Sequence, residues 1–129
     1  MLLLLLFAGG AAHAQIADFA SSPASGCAPL AVQFTDGIRD VIAEHDLPWH
    51  VQRLGCRAEY WFCPPPRTGA EAAAAVDEEL DAFFHLWTVN RGVLLAPFHN
   101  MSLFSPFHGR SDVDAHTSAF RGAVEALLG

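Results

Sequence analysis

A chain of 129 residues has room for one modest domain and not for two. It is 52% hydrophobic and 16% charged, which excludes disorder by composition, and its formal charge of -7 excludes binding to a phosphate backbone, which needs a basic stripe. All seven basic residues are arginine (Arg39, Arg53, Arg57, Arg67, Arg91, Arg110 and Arg121), and lysine is absent.

Residues 1–14, "MLLLLLFAGGAAHA", join a short apolar run to the cleavage-like Ala12-His13-Ala14. The run is too short to span a bilayer and reads as a secretory signal peptide, although the usual basic start is missing. Nothing later resembles a transmembrane segment. Residues 15–35 are rich in loop formers and then alternate, Val32 and Phe34 against Ala31, Gln33 and Thr35. That period of two predicts a half-buried strand. The "ADF", "SPASGCAPL" and "VQFTD" stretches resemble the start of a PKD-type β-sandwich domain. The resemblance stops after about a strand and a half, too little to close a sandwich.

From Asp36 the texture changes. Ile38, Val41, Ile42 and His45 have helical spacing, Asp36 can cap the start, and Pro48 ends the run. "HVQRLG" and "RAEYWFC" predict two short strands, closed by Pro64-Pro65-Pro66. Thr68 followed by Glu71 reads as a capping box. It opens one long helix to about Asn90, with Val76, Leu80, Phe83, Phe84 and Trp87 on one stripe, and Gly92 stands where a helix stop belongs. "VLLA" and "MSLFS" predict two further strands. Ser111 or Asp112 caps a last helix carrying Val113, Phe120, Val124 and Leu127. This order predicts an α+β domain over residues 36–129, a small antiparallel sheet covered by helices, preceded by a disordered or loosely attached N-terminal segment. The apolar "AFFHLW" turn expects neighbours on more than one side, which implies a partner surface.

Three cysteines form no C-x-x-C motif and read as buried or half-buried free thiols. Cys56 and Cys63 flank an extended segment whose ends lie too far apart to bridge. In an exported chain the plausible disulfide joins Cys27 to either of the other two.

Residues 36–129 resemble, in order, the C-terminal small domain of class-III pyridoxal-phosphate aminotransferases, near the glutamate-1-semialdehyde aminomutase branch. The resemblance rests on "GIRDVIAEHDLPWHVQRLGCRAEYWFCPPPRTGAEAAAA", "VNRGVLLAPFHNMSLFSP" and "SDVDAHTSAFRGAVEALL", with departures at Ala96 and at Phe107-His108-Gly109-Arg110. It implies an aminotransferase small-domain fold, pyridoxal phosphate as the cofactor of the parent family, and a large domain or homodimer partner. It also implies that residues 90–106 line the small-domain side of the active site, with His99, Asn100 and Arg91 as substrate-side candidates. The large domain of such enzymes supplies the phosphate cup and the Schiff-base lysine.

That chemistry needs a primary amine, and arginine, protonated and poorly nucleophilic, cannot replace it. Without lysine this polypeptide alone is expected neither to bind the cofactor covalently nor to transaminate.

Each polar candidate also has a plainer reading. His99 and Asn100 are ordinary loop and turn residues, and Arg91 complements a helix C-terminus. The spacings of His45, His50, His99, His108 and His116 match no zinc signature, so no metal is expected, and His116 falls on the packing side of the last helix. Glu78, Glu79 and Asp81 read as a solvated helix face, and Trp49 and Trp61 as packing residues.

Two other functions fit parts of the chain: an exported binding or adhesion module carried by the PKD-like start, and a stand-alone α+β domain that oligomerises through "AFFHLW". The two ends imply opposite compartments, exported and cytoplasmic. The change of texture near residues 30–37 is what either a gene fusion or a misjoined sequence would produce.

Overall fold

The computed structural model describes residues 27–96 and 99–129. The expected signal peptide, residues 1–14, and residues 15–26 of the PKD-like segment lie outside the described residues. The element order is α1 (Ala28–Glu44), β1 (His50–Leu54), β2 (Arg57–Trp61), α2 (Gly69–Ala74), α3 (Glu78–Val89), β3 (Met101–Leu103) and α4 (Arg110–Leu128). The three strands form one antiparallel sheet in the order β1-β2-β3. Helix α1 packs on β1, β2 and α4, and α3 packs on α4. The α+β prediction therefore stands.

Helix α1 corrects the strand expected at residues 31–35. Pro29 sits in its first turn, where a fixed φ favours helix and the missing N–H costs nothing. Ala31, Phe34, Thr35, Ile38 and Val41 then share one buried face. The apparent alternation of Val32 and Phe34 was part of this wider helical period. The strand that carried the PKD-like resemblance is thus a helix, and Asp36 lies inside it, paired on the surface with Arg39 at 3.3 Å. Gly37 is the contact point with α4, since a Cβ there would lie 2.8 Å from Thr117 Oγ1.

The hairpin pairs Val51 with Tyr60 and Arg53 with Ala58, so Ala58 and Tyr60 face the helices while Arg57, Glu59 and Trp61 take the other face. Gly55, at φ 59°, makes the turn. Cys27 is bonded to Cys56, their Cα atoms 5.3 Å apart, which ties the start of α1 to this turn. Cys63 is free and half-buried.

The single long helix predicted from Thr68 is instead two. Thr68 does cap α2, its hydroxyl accepting from Glu71 N at 3.1 Å, while the Glu71 carboxylate reaches back to Arg67 N at 2.7 Å. Asp77 then starts α3, accepting from Leu80 N at 3.0 Å. Gly92, at φ 80°, follows α3 as expected, with its N–H on Val89 O and that of Val93 on Thr88 O. "VLLA" forms no strand: Leu95 is buried, but Leu94 is 81% exposed. The cap of α4 is Gly109, whose N–H donates to the Asp112 carboxylate at 2.7 Å, not Ser111 or Asp112.

The core is aromatic. Tyr60 lies 4.9 Å from Phe120 and Phe84 lies 5.3 Å from Phe120, centroid to centroid, with Ile38, Val41, Val113 and Val124 packed around them. Trp49 meets Phe62, Phe84 and Phe120 edge-on, as its packing role predicted. Val76 and Leu127, expected on core stripes, are 59% and 44% exposed.

Candidate functional site

Strand β2 places Glu59 opposite Met101 of β3, beside the loop that carries His99 and Asn100. The Glu59 side chain is buried, which demands charged or polar partners. Arg57 Nη2 donates to its Oε2 at 2.8 Å, and His99 Nδ1 stands 3.8 Å from its Oε1. Next to this group, Asn100 Nδ2 donates to Asp81 Oδ1 at 2.7 Å. The Asn100 backbone carbonyl accepts from Tyr60 N at 3.1 Å. Asn100 is therefore held at two points, once to β2 and once to α3.

Glu59, Asp77, Asp81, His99 and Asn100 line one cleft of about 250 Å³, closed on its other side by α2. Tyr60 also borders it, and burial, with the Asp81 charge as a second cause, raises its phenol well above the ordinary range. The cleft offers carboxylate and amide oxygens and one exposed imidazole. Such a lining can orient a ligand by hydrogen bonds and favours cationic over anionic groups.

Sequence reasoning placed His99 and Asn100 in a common loop, and the structure brings both to this cleft. Arg91 does not join them. Its guanidinium donates to Trp87 O at 3.2 Å and lies 3.5 Å over the Trp87 ring, so it closes the end of α3. Glu59 was missed, although an acidic residue inside "RAEYW" is a sequence-level oddity. Asp81 was assigned to a solvated face, and is instead half-buried and bonded to Asn100. His116 is buried in the core as expected. Among the described residues no cluster of His, Cys, Asp and Glu has a metal-holding arrangement, and no helix is long and apolar enough to cross a membrane.

No family model matches the chain. Among curated proteins, the glutamate-1-semialdehyde 2,1-aminomutase of Thermomicrobium roseum is 34% identical over 96 residues, 74% of this chain and 22% of that protein. A Bacillus cereus glutamate-1-semialdehyde 2,1-aminomutase is 29% identical over 92 residues. Among solved structures, a glutamate-1-semialdehyde aminomutase from Pseudomonas aeruginosa PAO1 superposes with a TM-score of 0.75 at 44% identity, covering 77% of this chain and 22% of that one. The chain is homologous to the C-terminal part of these aminomutases. An omega-transaminase from Sphaerobacter thermophilus shares the fold, with a TM-score of 0.70 at 23% identity over 84% of this chain and 25% of that one. The chain spans about a fifth of the length of the curated relatives it matches.

A variant of the P. aeruginosa protein was solved in complex with PMP. The residues of this chain do not fit such a cofactor. PMP carries its own amine and needs no Schiff-base lysine, so the fit turns on its phosphate. A phosphate seeks a helix N-terminus with free N–H groups and no competing charge. Helix α2 is capped by Thr68 and carries Glu71 in its first turn, α3 opens with Glu78, Glu79 and Asp81, α4 has Asp112 in its first turn with its carboxylate on the Gly109 cap N–H, and α1, capped at Cys27, has Pro29 in its first turn.

Proposed function

We propose that this chain forms the substrate-side wall of a class-III pyridoxal-phosphate-dependent aminotransferase or aminomutase, whose cofactor-tethering amine comes from residues outside these 129. The observation that carries the reading is the match of three quarters of the chain to about a fifth of an aminomutase. The missing lysine supports the division of labour, because no other side chain can form the Schiff base. The exposed Leu54, Leu86, Leu94, Leu103 and Phe107 support it too, since a domain that packs against a large domain or a homodimer partner leaves such surface when seen by itself.

In this reading His99 and Asn100 border the substrate. Asp81 and β2 hold Asn100 at a fixed angle, so its amide positions a substrate polar group and does not exchange protons. Glu59 lies 3.8 Å from His99 and is itself paired with Arg57. These groups bind and orient; the cofactor, held elsewhere, supplies the electron sink for the chemistry. Arg91 acts at the end of α3 and not on substrate.

Two measurements test this. The purified chain, mixed with pyridoxal phosphate and borohydride, is expected to give no internal covalent adduct and no turnover of an amino acid with a keto acid; turnover by the chain alone defeats the proposal. A chimera of the P. aeruginosa aminomutase carrying residues 28–129 in place of its own homologous segment is expected to turn over. His99→Ala and Asn100→Ala in that chimera are each expected to lower kcat/KM about tenfold or more. Unchanged kinetics in both would remove these residues from the substrate wall.

A further inference from the structure

The segment from Arg67 to Val76 stands apart from the rest of the domain. Among the described residues its hydrogen bonds all run within it. Arg67 N donates to the Glu71 carboxylate at 2.7 Å, Glu71 N to the Thr68 hydroxyl at 3.1 Å, and Ala75 N to Glu71 O at 3.1 Å. Helix α2 at its centre buries no side chain and packs against no other helix or strand, whereas α1, α3 and α4 each bury a face. A cap and a run of alanines, not tertiary packing, favour its helix. Few buried contacts and a self-contained set of hydrogen bonds mark an element that opens at little cost, the class from which active-site lids are drawn.

This segment borders the cleft of about 250 Å³ that holds Glu59, Asp81, His99 and Asn100. Ala72 and Ala75, three positions apart and so on one side of α2, are half-buried and line that cleft. Val76 lines it too and yet is 59% exposed, an apolar side chain left largely in water. Trp61 and Phe62 share the lining. A swing of α2 into the cleft takes Val76 out of water, and this apolar gain favours closure. Pro64, Pro65 and Pro66 stiffen the approach on one side, and Asp77 caps α3 on the other. The freedom to turn lies between them, at Arg67–Thr68 and at Val76.

We infer that α2 is a lid, turning as one piece about its two ends to close over the cleft that carries His99 and Asn100. Closed, it excludes water from the Glu59 carboxylate and the His99 imidazole, which strengthens the interactions that hold a ligand there. Ala72 and Ala75, with a methyl each, leave the closed cleft room for that ligand. The motion is a property of these 129 residues; that the covered ligand is an aminotransferase substrate rests on the aminotransferase reading.

Nitroxide labels at Ala74→Cys, exposed on α2, and Leu103→Cys, exposed on β3, follow the lid in the full 129-residue chain carrying Cys63→Ser. Pulsed electron-spin resonance is expected to give a long and a short distance for this pair. Leu103→Cys with Glu125→Cys, exposed on α4, is expected to give a single narrow one. Val76→Ser, outside the core, is expected to shift the first pair toward the longer distance. One narrow distance for the α2 pair, or the same balance in Val76→Ser, overturns the lid. In the chimera with the P. aeruginosa aminomutase, Val76→Ser is expected to lower kcat/KM for glutamate-1-semialdehyde about tenfold. Equal kinetics would overturn closure over the substrate. A chimera inactive even with Val76 in place counts against the aminotransferase reading, while the distances still decide the lid.

Discussion

The His116 ring packs 4.5 Å from the Phe34 ring, joining α4 to α1 through an imidazole that water does not reach. Burial holds its pKa at about 4, below the ordinary 6.5. The unfolded chain therefore binds a proton that the folded chain refuses between those two values. Stability is complete above about pH 6.5 and falls as pH drops toward 4, by about 3 kcal/mol at most. Urea unfolding at about pH 7 and about pH 5 should show this slope in the native chain and a flatter one in His116→Phe. Equal slopes would mean that His116 is solvated.

The Cys27–Cys56 bond closes a loop across 29 positions of sequence. Constraining the unfolded chain over that length stabilises by about 3 to 4 kcal/mol in the loop-entropy model. Reduction, or Cys56→Ser, is expected to lower the urea midpoint accordingly, while Cys63→Ser is expected to leave it within about 0.5 kcal/mol. Thiol counting on the unfolded, non-reduced protein should find one reactive cysteine.

At the crossing of α1 and α4, Gly37 leaves no room for a methyl group beside Thr117. Alanine gains about 1 kcal/mol of helix propensity, but the clash costs about 1 to 3. Gly37→Ala is expected to destabilise by about 1 kcal/mol net, and Thr117→Ala in the same chain to recover the loss. A single variant more stable than the parent would show that the helices separate freely.

Arg57 is the direct ion-pair partner of the buried Glu59 carboxylate. Arg57→Ala is expected to cost about 1 to 2 kcal/mol, moderated because the guanidinium is about half exposed. Adding Glu59→Gln should restore most of it, because the uncompensated charge is then gone. Additive losses in the double variant would argue against the pairing.

How much of this was legible in sequence varies by element. Thr68, Pro48 and Gly92 act through neighbours a few residues away, and each does the local work its position predicted. Residues 31–35 were misread because a five-residue window holds both an alternation and part of a helical period, and only the face that meets α4 decides between them. The break at Ala75–Asp77 was hidden by a continuous run of good helix formers, although Asp77 ahead of two glutamates is a cap signal. "VLLA" has the composition of a strand but no strand beside it among the described residues, and composition does not supply a partner.

The site divides in the same way. Sequence alone determined that these residues hold no lysine for a Schiff base, and that residues 36–129 resemble the aminotransferase stretches, because both follow from residue identity. It could also name His99 and Asn100, which share a loop. Only the tertiary structure brought His99 within 3.8 Å of Glu59, bonded Asp81 to Asn100, and packed His116 among aromatic rings of α1 and β2. Those relations link residues on separate elements, some of them scores of positions apart. Their geometry depends on sheet register and helix crossing, which are properties of the packed whole and leave no short-range trace in the chain.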